Sequence, residues 1–247
     1  MTYNPDEYRM PILEHLRELR SRIIVCLWAL IVSFFAAFFF ANELFGFLAA
    51  PMNEALQGTD GGTLAVTEAM EGFMVQMKVA AMTAIFISMP VLTYQSWRFI
   101  APALYDQEKR WAVPLMVAST SLFLAGAAFA YFAVFRFGFP VFLEMNGEDV
   151  KAVLSIQSYL SFATTLLIAF GAAFQLPVVI YFLARIGVID HLDLIRGFRY
   201  SVVLIFVVAA VLTPPDVLSQ VLMAGPLLVL YGIGIGVARI ATTKRRD

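Results

Sequence analysis

Long apolar runs separated by short charged segments set the pattern of this chain. Residues 23–41, IIVCLWALIVSFFAAFFFA, hold no charge over 19 positions. A second apolar stretch covers 74–97, with its strongest part, 79–97, lying between Lys78 and Arg98. Pro90 in its middle predicts a kink. Residues 113–135 are again uncharged, and 159–184 form a fourth run in which Gln175 is the notable polar group. Two further runs, 200–213 and 217–238, flank the tripeptide PPD. Crossing about 30 Å of hydrocarbon takes about 20 residues of helix, so each long run predicts a spanning helix. The run 200–213 is short, about 21 Å at 1.5 Å per residue. Pro214 and Pro215, which donate no helix hydrogen bond, explain why it stops there.

Charge decides how the last two runs are counted. Basic residues collect in short cytoplasmic segments near span ends. With six spans, the inside segments hold Arg9, Arg17, Arg20, Arg22, Arg98, Lys109, Arg110, Arg185, Arg196, Arg199, Arg239, Lys244, Arg245 and Arg246. Only Lys78, Arg136 and Lys151 fall outside. Five spans would put the terminal KRR on the wrong side. The expected fold is therefore an all-α integral membrane protein with six transmembrane helices, both termini cytoplasmic and short fifth and sixth helices.

Between the spans, 42–56 is amphipathic but too short and too acidic to cross, which predicts an interfacial helix broken near Pro51. Residues 57–63, QGTDGGT, read as a turn-rich link. Residues 136–158 read as a second extramembrane piece with MNGED at its tip.

Composition sharpens the class. The chain is 61% hydrophobic and 14% charged, with a mean hydropathy of +0.81. Soluble domains are about 25% charged. The first run exceeds the roughly 7–15 residues of a signal-peptide core, so a retained span is expected. Cys26 is the single cysteine, which leaves no internal disulfide. His15 and His191 are the only histidines. No zinc, phosphate-loop or nucleophile-elbow motif is present, so no metal, nucleotide or other cofactor is expected.

Chemistry is left to the charged margins. EHLRELRSR, 14–22, opens the first span. On a helix, Leu13, Leu16, Ile23, Ile24 and Leu27 fall on one broad side, with Glu14, Glu18 and Arg22 on the other. The plain reading is an interfacial helix with a Glu18–Arg22 pair of about 0.2–0.5 kcal/mol. QSWRFIAPALYDQEKR, 95–110, sets Trp97, Phe99, Leu104 and Tyr105 beside Asp106 and Glu108. It reads either as an aromatic belt with solvated charges or as a docking patch for an apolar, cationic partner. Two carboxylate-bearing sites near one membrane surface suit adjacent arginines, because a guanidinium fork matches a carboxylate bidentately. Gln175, two residues before Pro177, serves either an interhelical hydrogen bond or a contact with another helix. Gly232 and Gly236 form a G-x-x-x-G that predicts close helix packing.

HLRELRSR, YQSWRFIAPALYDQEKR and LTPPDVLSQ resemble signature segments of the TatC family, the multispanning subunit of the twin-arginine protein translocase. The resemblance runs from Pro11 to the last span. It implies six helices, a structured periplasmic cap and an inner-membrane location. It implies a receptor for folded cargo whose signal peptide carries paired arginines, with Glu18 and Glu108 receiving them. Arg20, Phe99, Leu104 and Tyr105 would complete that surface. Pro51 in the first periplasmic loop and Asp216 in PPD match further positions the family uses. TatA- and TatB-type single-span proteins and further copies of the chain are the implied partners, with proton-motive force in place of ATP, and no nucleic acid. Many relatives carry Glu where this chain has Gln175, so titration at this position is lost here and a hydrogen bond remains.

Two other classes compete. A small-solute secondary transporter needs ionisable groups and broken helices at mid-depth, commonly in related halves. The sequence offers one Gln and no convincing repeat. An intramembrane hydrolase needs a nucleophile beside a base, and no His or Asp lies at mid-depth in any run. If cargo passes, docking would couple to bilayer thinning by the short last spans.

Overall fold

Lipid offers the backbone no hydrogen-bonding partner, so a spanning segment must satisfy its own N–H and C=O groups. The computed structural model describes residues 12–57, 62–66, 68–100, 112–144, 153–212 and 217–246. These residues form nine α-helices and one short ribbon. Helix α1 (Ile12–Phe39) is followed at once by α2 (Ala41–Gln57), strand β1 (Thr63–Ala65) and α3 (Glu71–Ile100). Helix α4 (Ala112–Phe129) continues through a π-helical stretch, Ala130–Phe135, into α5 (Arg136–Glu144). Strand β2 (Val153–Ser155) then leads into α6 (Ile156–Ala173), α7 (Leu176–Ile186), α8 (His191–Leu212) and α9 (Val217–Arg246). Six stretches are long and apolar enough to cross a membrane: Glu14–Phe39, Glu71–Ile100, Val113–Leu143, Ile156–Ile186, His191–Leu212 and Gln220–Thr242. An even number of crossings brings both ends of the chain to one face, called the terminal face below.

Helix α6 is the centre. Leu160, Ala163, Leu167 and Phe170 recur at helical spacing and are all buried. Phe135, Val79 and Met223 close around them from the neighbouring helices. Helices α4 and α6 approach through reciprocal glycines. A Cβ on Gly126 would lie 2.5 Å from the Phe170 carbonyl oxygen, and one on Gly171 would lie 2.8 Å from the Phe123 ring. Helices α1 and α8 are peripheral. Trp28, Val32 and Phe35 on α1 and Val203, Leu204 and Val211 on α8 are exposed, as lipid-facing side chains are.

Several boundaries differ from the sequence reading, each for a physical reason. Helix α2 runs unbroken through Pro51 and packs Leu48, Met52 and Leu56 against the bundle, so the expected break near Pro51 is absent. The chain at 136–144 prolongs the third span as α5. The fourth run is divided at Phe174–Gln175, because Pro177 cannot donate in the first turn of α7. By contrast α3 passes Pro90 in one piece. Part of the 57–63 link is ordered, with β1 paired in parallel to β2, Thr63 opposite Val153. Helix α8 starts nine residues ahead of its apolar run. Asp193 reaches back to the Asp190 backbone N–H at 3.0 Å, the backward half of a capping box, which marks the start. Its first turns carry Asp193, Arg196 and Arg199, so the apolar part, 200–212, is still short. A Cβ on Gly232 or Gly236 would meet nothing within 4 Å in this chain, whereas one on Gly234 would lie 2.5 Å from Ile180 Cδ1. Close packing of α9 on α7 therefore uses the glycine between the two that the motif singles out.

The turn between α7 and α8 is tied to α9. Gly187, at φ 79°, ends α7, and Val188 N–H donates to the Leu183 carbonyl at 2.9 Å, as in a Schellman close. Asp190 Oδ1 accepts from His191 N–H at 2.6 Å, His191 Nδ1 at 2.6 Å and Thr242 Oγ1 at 3.2 Å. Desolvation raises the Asp190 pKa, but the bonds from His191 and Thr242 outweigh it and hold the carboxyl below its ordinary range. A depressed carboxyl stabilises the fold above its unfolded value and loses that contribution as pH falls through the folded one. Wild type should therefore melt at a higher temperature than Asp190→Asn from neutral pH down to the usual carboxylate range. The gap should close at lower pH. Thermal unfolding in detergent across that range measures it, and a gap that persists in acid contradicts this role.

Candidate functional site

On the terminal face, α1 and the end of α3 lie against each other through polar and aromatic side chains. Positions 15, 18 and 22 of α1 fall on one side of that helix. His15 stacks on Phe99 of α3 with ring centroids 4.4 Å apart and planes 21° apart. Glu18 accepts from Arg22 Nε at 3.1 Å and also from Nη2, while Arg22 Nη1 donates to Gln95 Oε1 at 3.2 Å. The expected Glu18–Arg22 pair is formed, but its setting differs from an interfacial helix. Leu16, Ile23, Ile24 and Leu27 are exposed, and the charged side faces α3. Acids stand at the mouth of this span because Glu18 braces the arginine that bridges to Gln95.

The two sequence patches are thus partly brought together. Glu18 and Phe99 share the α1–α3 contact. Arg20 is exposed and, two positions from Glu18, is turned about 200° away from it. Leu104, Tyr105 and Glu108 lie outside the described residues, as does Asp216. Glu18 itself remains about a quarter exposed, with a side-chain accessibility of 24%. Its carboxylate therefore keeps lone pairs within reach of solvent while it holds Arg22.

Deeper in the span, Gln175 Nε2 donates to the Ser119 carbonyl at 2.8 Å. Ser119 Oγ accepts from Trp97 Nε1 at 3.0 Å, and Trp97 meets Phe182 edge-on with centroids 5.0 Å apart. Trp97 is therefore a link joining α3, α4 and α7. Sequence reasoning missed Gln95, Ser119 and Trp97 as partners, because each is identified only by what packs across from it.

Pro51 lies on the opposite face. Its missing N–H leaves the Phe47 carbonyl without its i+4 donor. Tyr131 Oη donates to that carbonyl at 2.7 Å, and the Tyr131 and Phe47 rings stack with centroids 4.4 Å apart. The next carbonyl, of Leu48, accepts from the buried Tyr159 Oη at 2.5 Å. Two tyrosines from α6 and the π stretch therefore hold α2 straight through its proline. Glu71 was also missed. It is 1% exposed, and its Oε1 accepts from Ser155 Oγ and Gln157 N–H, both at 2.7 Å. Its Oε2 accepts from Glu68 N–H at 3.2 Å. Only the Glu71–Glu68 half, an acid three residues beyond a turn, was visible as a helix-start signal.

Comparison with known proteins fits this architecture. A family model described as Sec-independent protein translocase protein (TatC) matches residues 14–226. The chain is similar to the Sec-independent protein translocase protein TatC of Azotobacter chroococcum mcd 1, 42% identical over 236 residues that cover 95% of this chain and 92% of that one. It is similar to the protein of the same description from Escherichia coli strain K12, 41% identical over 241 residues, 98% and 93% of the two chains. Among solved structures, a crystal structure of the twin-arginine translocase receptor TatC superposes with a TM-score of 0.83 at 40% identity, covering 93% of this chain and all of that one.

The proline–tyrosine arrangement predicts a coupled pair of substitutions. Tyr159→Phe should destabilise by about 0.5–1.5 kcal/mol, the net worth of one hydrogen bond, because the Leu48 carbonyl keeps its helix donor at Met52. Tyr131→Phe should cost about 0.5–1.5 kcal/mol, and less when combined with Pro51→Ala, which restores an N–H for Phe47. A double-mutant cycle by unfolding in detergent reads the coupling. Additive effects would show that Tyr131 does not compensate for the proline.

Proposed function

The chain belongs to the TatC family of Sec-independent protein translocase proteins, and from that premise we propose that its terminal face is the cytoplasmic docking surface for paired-arginine export signals. The protein is a multi-pass membrane subunit of a translocase and not an enzyme. It supports export of folded cargo in a twin-arginine system. In this reading both termini are cytoplasmic, as the distribution of basic residues requires.

One observation carries the reading: the α1 patch and the α3 patch are in contact, His15 against Phe99 and Arg22 bridging Glu18 to Gln95. A single extended tag can touch both only if they are adjacent. Glu108 follows the end of α3 by eight residues, at most about 28 Å of extended chain, which is within the span of a short peptide. Glu18 and Glu108 receive the two guanidinium groups, each carboxylate matching the planar fork. Phe99, Leu104 and Tyr105 take the apolar part of the tag, and Arg20, on the exposed side of α1, completes the rim. An incoming arginine competes with Arg22 for Glu18. That competition is mild, because a partly exposed i,i+4 pair is worth about 0.2–0.5 kcal/mol.

Partner helices of the TatA and TatB type dock on the spans. Gln175 spends one amide N–H on Ser119 and offers its remaining polar atoms to such a helix. Pro51 and Asp216 belong to the periplasmic cap and loop, and copies of the chain assemble within the complex. The short apolar part of α8 thins the bilayer locally as partners gather, with proton-motive force supplying the work.

Glu18→Ala and Glu108→Ala should each lower cross-linking of a twin-arginine peptide about ten- to a hundredfold, the loss of one charge-assisted contact of about 1.5–3 kcal/mol. Insertion and folding should persist. Replacing the peptide's arginines by lysines should mimic the loss. Unchanged cross-linking in both variants defeats the assignment. Inserting four leucines into 200–212, about 6 Å of helix, should impair export while leaving peptide binding intact. Full export with the longer helix argues against thinning.

A further inference from the structure

On the face opposite the chain's ends, α2 and the region of the π stretch enclose a cleft of about 360 Å³. That volume lies within the ~300–1,000 Å³ range of small-molecule sites. The stacked rings of Phe47 and Tyr131 line it. Glu54 of α2 and Arg136 at the start of α5 also line it, and both are exposed. Among the described residues, neither of these charges is met by an ion pair. Opposite charges share the cleft without closing on each other. Phe132, 65% exposed, extends the wall outward.

Backbone geometry is what assembles this lining. In an α-helix, positions five apart are turned about 140° from each other. The segment Ala130–Phe135 is π-helical, and its i→i+5 repeat realigns such positions. Tyr131 and Arg136 therefore line one cleft. Single π turns inside α-helices are frequent at functional sites. Depth is the other constraint. Arg136 lies about 23 residues beyond Val113, ~34 Å along the helix, just past a hydrocarbon core of about 30 Å. Counted that way, its guanidinium would reach headgroup level, with Phe132, a turn deeper, on the acyl side.

We propose that this cleft binds the headgroup of a zwitterionic phospholipid bearing a primary amine. The phosphate lies on Arg136, whose fork matches two phosphate oxygens. The ammonium donates to the Glu54 carboxylate, and the acyl chains leave along Phe132. A headgroup with a methylated amine has no N–H to offer Glu54. An anionic headgroup meets one matching charge and one repelling charge. The site is independent of the docking surface on the terminal face.

The test incubates the full chain in detergent with an equal mixture of phosphatidylethanolamine, phosphatidylcholine and phosphatidylglycerol, and reads retained lipid by native mass spectrometry. Wild type should retain phosphatidylethanolamine about tenfold over the other two, the weight of one charge-assisted hydrogen bond. Glu54→Gln should erase that preference, and Arg136→Gln should lower retention of all three lipids. Both substitutions change exposed side chains, and circular dichroism checks that the helices are intact. Equal retention of the three lipids by wild type, or an unchanged preference in both variants, overturns the proposal. Displacement by soluble phosphoethanolamine at the same concentration would mean a soluble ligand and overturn the lipid as occupant. A photo-cross-linker at Phe132 that labels protein in place of lipid in native membranes would do the same.

Discussion

The absence of water inside the bilayer governs how this protein is held together. A backbone carbonyl that loses its helix donor must find another, as Phe47 does, and elsewhere side chains from distant helices add a second bond to carbonyls already used within a helix. Tyr131 donates to Phe47, Tyr159 to Leu48, Gln175 to Ser119, Gln220 to Phe206 and Tyr231 to Leu194, all at 2.5–3.0 Å and all onto backbone oxygen. These bonds join elements that apolar contact alone orients poorly, because lipid tails compete equally for apolar surface. Prolines inside helices become tolerable under the same rule. Pro51 costs α2 one internal bond at the Phe47 carbonyl, and Tyr131, 84 positions from Phe47, replaces it.

The charged groups obey a related constraint. Glu18 and Arg22 stand where the first helix enters the membrane, paired with each other and bridged to Gln95. Glu71 is fully buried and takes hydrogen bonds from Glu68, Ser155 and Gln157. One carboxylate is kept accessible and the other is sealed. The first can exchange partners with an arriving cation, and the second fixes the junction of α3, β2 and α6.

Much of the fold was legible in the sequence because hydrophobic length is a strong local signal. Six spans, the incomplete apolar cover of α8 and a covered far face all follow from runs and breaks. The errors arose where a distant residue overrides a local rule. Pro51 reads as a helix breaker until Tyr131 is known to sit beneath Phe47. Gly232 and Gly236 read as a packing motif, but α7 chooses Gly234, and the α4–α6 crossing uses Gly126 and Gly171. The start of α8 was missed although DHLD spells its capping box, since the polar first turns hid the helix from a hydropathy reading. At the candidate site, Glu18 and Phe99 lie on the two sides of the α1–α3 contact, which is made by His15 on Phe99 and by Arg22 on Gln95. Arg20, which the family resemblance adds to the same surface, is exposed on a different side of α1 from Glu18.

The order in which helices pack bears on how the chain is made. Helix α1 rests on α3, α3 on α4 and α6, α4 on α6, and α8 on α9. Most helices emerging from a ribosome would find a neighbour already in the bilayer or next in line, and such local topology favours rapid assembly. The β1–β2 ribbon is the exception. It needs residues 63–65 and 153–155 together, so the far-face cover must wait for the second half of the chain to be synthesised. A polypeptide stalled after α5 would lack both α6, on which the bundle centres, and the strand that closes the ribbon, so the core and the far-face cover are completed by the same part of the chain.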